Sequence, residues 1–166
     1  MAASAALTFN NTTNSISVSN SATISGALGV GTAPSTTAGE IRATNNITAY
    51  YSDGRLKTFL YTIPDALYKT NRLKGIVYKN NDVAAEYGYT DQSEQVGVIA
   101  QDVEAVLPQI VKQAPFDIGQ HVGGHEFSKS GQFYKTVQYD KLVPLLIEAI
   151  KELKEELDIV KGKLNG

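Results

Sequence analysis

Ser52 and Lys57 are the residues of this sequence whose types and spacing carry chemistry. A serine hydroxyl becomes a nucleophile when a nearby base takes its proton, and a neutral lysine amine is one such base. Both lie in the run Ser52-Asp53-Gly54-Arg55-Leu56-Lys57, and the Tyr51–Ser52 peptide bond stands directly before the hydroxyl. The reaction this arrangement suggests is self-cleavage, with Ser52 attacking the Tyr51 carbonyl. If Asp53 is a helix N-cap, Ser52 is N′ and Lys57 is N4, two positions that meet at a helix start. Helical side chains also lean towards the N-terminus, which brings the amine towards the hydroxyl. An unperturbed lysine titrates near ~10.4, so a lysine base must be made neutral. The positive end of a helix, neighbouring Arg55 and burial under partner chains all act in that direction. Taken alone, the same spacing also fits a plain helix cap with a solvated lysine.

The pair stands at a seam between unlike halves. Residues 1–51 carry only Glu40 and Arg42 as charged side chains, and every other Asp, Glu, Lys and Arg lies from Asp53 onward. The first half is rich in Ser, Thr, Asn, Ala and Gly. Ile16, Val18 and Ile24 alternate with Ser and Thr as half-buried strands do. Gly26, Gly29, Gly31 and Pro34 punctuate these runs, and Ile41 to Tyr51 ends in residues of high β-propensity. So little apolar surface cannot offset the ~1–2 kcal/mol per residue of backbone ordering. Residues 1–51 therefore read as a β-rich fibre stem that orders when several chains wrap together, rather than as a loose linker.

At 166 residues the chain holds one ordinary domain plus this appendage. A net charge of −2 gives no electrostatic case for nucleic acid or an anionic membrane as partner. No apolar run approaches the ~20 residues of a membrane span. The N-terminus lacks a basic start and reads as the cut edge of a longer protein. Without cysteine, disulfides, thiolate chemistry and Cys-based zinc sites are excluded. His121 and His125 are four apart, but in a Gly-rich stretch where no helix would align them, so no metal and no cofactor is expected.

Residues 52–138 read as a small α+β unit. A helix is expected from Asp53 and another from about Pro64, which a first helical turn tolerates. Ile76-Val77-Tyr78 and Val96 to Ala100 read as strands, Glu86 to Glu94 as a polar loop, and Gln101 to Leu107 as a helix stopped by Pro108. Ile110-Val111 and Phe133 to Gln138 supply further strands, with a Gly-rich loop from Gly119 to Gly131. Tyr78, Tyr87 and Tyr89 are expected in core and rim packing, with contact to a carbohydrate or to the stem as the alternative.

Residues 139–166 are strongly helical in pattern. Val143, Leu146, Ile150, Leu153, Leu157, Val160 and Leu164 follow one another at alternating steps of 3 and 4. That is the a and d seam of a coiled coil, narrower than the stripe of an ordinary core helix. Glu156 at g and Lys161 at the following e suit an interchain ion pair. The heptads do not by themselves settle dimer against trimer.

Beyond the single pair, four blocks occur in order: Ser52 to Lys57; Gly75-Ile76-Val77-Tyr78; Gly97 to Pro108; and Val137 to Leu153. This succession resembles the C-terminal intramolecular chaperone domain of phage tailspikes and tail fibres, the endosialidase tailspike type, over residues 52–166. Residues 1–51 resemble a generic fibre stem. The resemblance implies a homotrimer whose chaperone domain assists folding of the stem of the same chain. It also implies a single-turnover Ser-Lys peptidase in cis. Ser52 is then the nucleophile, Lys57 the general base, Tyr51–Ser52 the cleaved bond, and Asp53 and Arg55 supports. The stem would remain on the virion tail fibre while the chaperone part is released in the host cytoplasm. The alternative is a non-cleaving trimerisation or receptor-binding tip.

Overall fold

The computed structural model describes residues 7–10, 15–18, 22–48, 51–120 and 126–164. The chain divides into two compact units, Met1–Thr58 and Phe59–Gly166.

In the first unit, β1 (Leu7–Asn10) and β2 (Ser15–Val18) form an antiparallel pair with Phe9 opposite Ile16. The alternation read at Ile16 and Val18 falls on a strand. β3 (Leu28–Val30) and β4 (Ile41–Ala43) run parallel, with Leu28 opposite Ile41 and Val30 opposite Ala43. Gly31 and Gly39 turn the connection at φ of 74° and 81°, a region where a side chain is disfavoured. The β-prone stretch from Ile41 is strand only as far as Ala43. Beyond it, the Asn45 side chain accepts the Asn46 N–H at 2.7 Å, a local bond that competes with a ladder. Ala49 and Tyr50 lie outside the described residues. No described residue from 22 to 58 is buried. Ile24, Val30, Ile41 and Ile47 are each more than half exposed. A two-stranded ribbon with its apolar side chains bare has no core of its own, as the composition of this half requires.

The second unit is a mixed α and β body ending in a long helix. α1 (Ala66–Asn71) packs on α4 (Leu142–Leu164). Ala66, Leu145 and Ala149 form the centre, flanked by Ile63, Leu67, Leu73 and Leu107. Between these helices the chain forms β5 (Gly75–Tyr78), α2 (Asp82–Glu86), β6 (Gln95–Val98), α3 (Ala100–Val106) and β7 (Val111–Gln113). Then come β8 (Ile118–Gln120), β9 (Glu126–Ser128) and β10 (Lys135–Val137). The strands make antiparallel pairs β5–β6, β7–β10 and β8–β9. α3 buries Val103 and Val106 against β7 and β10, and Pro108 follows it as expected.

Two features of this unit escape a reading by composition. The stretch from Gly119 to Gly131, expected as a loop, contains the β8–β9 ladder. Gly119 faces Phe127 across it, and a Cβ at Gly119 would lie 2.4 Å from the Phe127 ring. The glycine is there because the ring occupies its side-chain space, not because the backbone is loose. The second feature is α2, in the stretch between strands. Its N-cap Asn81 accepts the Ala84 N–H at 2.9 Å.

Candidate functional site

The motif at residues 52–57 folds by its own side chains. The Asp53 carboxylate accepts the Arg55 backbone N–H at 2.9 Å and holds the Arg55 guanidinium at 2.6 Å. These bonds to Arg55 hold the Asp53 carboxyl below its ordinary range and raise the Arg55 guanidinium. Leu56 N–H donates to the Asp53 carbonyl and Lys57 N–H to the Gly54 carbonyl, closing a single 3-10 turn over Gly54–Leu56. The turn stops there. Lys57 is extended, at φ −124° and ψ 135°. The α-helix expected from Asp53 is therefore one 3-10 turn, and Lys57 is its C-cap rather than N4. Thr58, Phe59 and Tyr61 favour extended backbone, and none of residues 58–61 is buried to reward a helix.

The two chemical side chains nevertheless meet. The Lys57 ammonium donates to the Ser52 Oγ at 3.0 Å. A lone 3-10 turn is short enough that a long lysine side chain, leaving it extended, folds back to the residue before the cap. Ser52, Lys57 and Tyr51 are all exposed, as is every residue from 51 to 60. No described residue of its own unit buries Lys57.

The heptad residues lie on α4 as one bare stripe. Val143, Leu146, Ile150, Leu153, Leu157, Val160 and Leu164 are all exposed. Leu145 and Ala149, on a different face, are the ones α1 covers. Pro144 is the third residue of α4, where no amide donor is needed. α4 is thus amphipathic twice over: one face fills the unit's own core and the heptad face is left bare among the described residues.

Glu152 belongs to no motif that marks it in the sequence. Its carboxylate accepts the Ala66 N–H at 2.8 Å and the Leu67 N–H at 2.7 Å, capping α1 from across the core. The natural cap, Asp65, sits at φ 52° and ψ 41° and makes no side-chain cap bond. The Leu67 and Ala66 amides hold the Glu152 carboxyl below its ordinary range. Asp117 is likewise internal, at 1% exposure. Burial pushes its carboxyl up, but the Ser130 amide, the Ser128 and Ser130 hydroxyls and the Tyr134 amide together outweigh that and lower it to about 2. It ties β8, β9 and the approach to β10 together. His121 and His125 lie outside the described residues.

Residues 52–112 match the sequence profile of the family described as chaperone of endosialidase, peptidase S74. The long tail fiber protein Gp37 of Enterobacteria phage K3 is 31% identical over 113 residues, which is 68% of this chain and 8% of that protein. Its counterpart from Enterobacteria phage T2 is 31% identical over 113 residues, covering 7% of its length. That of Enterobacteria phage M1 is 33% identical over 114 residues, covering 39% of its length. The chain thus spans a small part of the phage K3 and T2 proteins and about two fifths of the phage M1 protein. The motif run lies at the start of the matched segment, and these matches agree on one assignment: residues 52–112 are a segment of the chaperone-of-endosialidase type.

Proposed function

We propose that this chain is part of a phage tail fibre, in which residues 52–166 bring three chains into register and then cut themselves away at Tyr51–Ser52. The observation that carries the cleavage is the 3.0 Å contact between the Lys57 amine and the hydroxyl of Ser52, the residue that follows the peptide bond to be broken. The family match over residues 52–112 and the tail fibre relatives support the setting. The unburied stem and the bare heptad stripe support the need for further copies.

The chemistry balances with these residues and one water. A neutral Lys57 amine accepts the hydroxyl proton while Ser52 Oγ bonds to the Tyr51 carbonyl carbon. The tetrahedral intermediate collapses by breaking the carbon–nitrogen bond, and the lysine proton passes to the leaving Ser52 nitrogen. The result is an ester between Tyr51 and Ser52 Oγ with a free Ser52 amine. Water then cleaves the ester, leaving a Tyr51 carboxylate and the Ser52 hydroxyl. Association comes first in this scheme, because partner chains packed over Lys57 would disfavour its charged form. After the cut the stem has lost its template, which makes its fold kinetically one-way.

A second reading keeps the association and drops the cleavage. The exposure of Ser52 and Lys57 favours it, since water has free access to both side chains. Intact mass under denaturing conditions, for the wild type, Ser52→Ala and Lys57→Ala, separates the two. Fragments divided at Tyr51–Ser52 in the wild type and a single intact chain in both variants establish self-cleavage. A single intact chain in all three leaves a non-cleaving tip.

A further inference from the structure

We infer that the second unit carries a binding cleft for a neutral oligosaccharide, separate from the Ser52–Lys57 motif. The cleft has a volume of about 480 Å³, within the usual range for a small-molecule site. Its wall is aromatic. Phe116 packs on Tyr87 at 4.8 Å, on Tyr89 at 5.5 Å and on Tyr134 at 5.6 Å between ring centroids. Tyr87 meets Tyr134 edge-on at 5.3 Å, and Tyr78 completes the lining. These rings come from four separate places in the chain, so the cluster is built by the fold and not by a local run.

Three properties of the wall select the ligand class. The first is shape and surface. Tyrosine faces are electron-rich, and the C–H face of a pyranose presents weakly positive hydrogens to them. Tyr78, Tyr87 and Tyr89 are each more than a third exposed, so these rings are only partly consumed by packing on one another. The second is polarity. The Tyr78 and Tyr89 hydroxyls make no hydrogen bond among the described residues, which leaves them to pair with sugar hydroxyls. The third is charge. Lys135, at the rim, is held by Glu104, and no other charged side chain lines the cleft. An uncharged polyhydroxylated ligand fits such a wall better than a phosphate, a carboxylate or a basic peptide.

The wall is also fixed before any ligand arrives. Asn81 caps α2, the Asn80 amide donates to the Asp91 carbonyl at 2.9 Å, and Tyr134 N–H donates to Asp117. Binding therefore costs little ordering of the site.

The chain has no tryptophan, so its intrinsic emission is tyrosine emission, and Tyr78, Tyr87, Tyr89 and Tyr134 of its nine tyrosines line this cleft. The full chain is titrated with maltotetraose, chitotetraose and mannotetraose, with a tetragalacturonate as charged counterpart and a peptide of residues 22–48 as competitor. At least one neutral tetrasaccharide is expected to saturate the signal below about 10 mM. Tyr89→Ala should weaken it at least ~10-fold, and Tyr78→Phe, which keeps the ring and loses the hydroxyl, about threefold. Self-association and fragment masses should be unchanged in both variants. The inference is overturned by no saturation with any neutral sugar, by unchanged affinity in Tyr89→Ala, or by tighter binding of the tetragalacturonate. Displacement of a bound sugar by the 22–48 peptide at equal or lower concentration also overturns it and gives the cleft to the stem.

Discussion

Leu145 and Leu146 are neighbours on α4, yet Leu145 is fully buried against Ala66 of α1 while Leu146 is 44% exposed. One helix thus faces two different tasks at consecutive residues. Leu145→Ala empties a packed site and should cost about 2–5 kcal/mol of folding stability. Leu146→Ala should leave unfolding of the dilute single chain nearly unchanged and weaken self-association instead. Urea unfolding at low concentration and sedimentation equilibrium at high concentration read the two effects separately. Equal losses of stability from both substitutions would show that the seam is part of the chain's own core.

That division explains what could be read in the sequence. The heptad spacing of Val143 to Leu164 marks the bare stripe, because a and d periodicity belongs to the helix alone. The same spacing is silent on Leu145, Ala149 and Glu152, whose roles depend on where α1 lands. Asp53 was legible as a cap, since caps are local, but the helix read beyond it, with Lys57 at N4, is a single 3-10 turn that Lys57 ends. The length of that turn was not legible, because a helix is extended only by packing partners and residues 58–61 have none that bury them. Gly119 misled for a related reason: glycine signals freedom locally, and here Phe127 fills the space from the opposite strand. The clustering of Tyr87, Phe116 and Tyr134 is a product of tertiary structure that no spacing announces.

Asp117 and Glu152 predict how the second unit responds to acid. Both carboxyls are held below their ordinary values, Asp117 at about 2. A group depressed in the folded state adds stability at every pH above its unfolded value, near ~4. That contribution is lost as the pH falls through the folded value. Thermal unfolding should therefore be flat from pH 7 to about 5 and should decline between about pH 4 and pH 2. Asp117→Asn keeps the shape, removes the charge and leaves fewer acceptor sites for its donors. It should lower the midpoint at pH 7 by on the order of 10 °C and flatten the acid decline. A variant with the same acid profile as the wild type would remove Asp117 from this account.

Asp53 is the residue that sets where Lys57 goes, through its bonds to the Arg55 amide and guanidinium. Asp53→Ala releases the turn and lets the Lys57 amine drift from Ser52. A displacement of about 1 Å at reacting groups costs up to ~100-fold in rate, so fragment release should slow by about 10- to 100-fold. Asp53→Asn keeps an acceptor for the Arg55 amide and should recover most of the rate. Time courses of fragment mass, with association measured in parallel, test this. An unchanged rate in Asp53→Ala would show that partner chains, rather than the turn, align the pair.

If cleavage awaits association, the bare stripe of α4 governs Ser52 from a distance. Leu153 stands near the middle of that stripe, at 52% exposure, outside the cluster centred on Ala66, Leu145 and Ala149. Leu153→Asp would place a carboxylate in each copy of the seam, where the charges are both desolvated and mutually repelled. The chain itself should still fold, since no buried residue changes. Association should fail, and with it the covering of Lys57 by partner chains. Fragment release should then fall along with the associated fraction, by sedimentation velocity and intact mass on the same samples. Glu155→Lys, which alters an exposed residue off the seam, should leave both at wild-type levels. Full cleavage in a Leu153→Asp chain that stays monomeric would sever the two events and show that the Ser52–Lys57 contact is competent in a single chain.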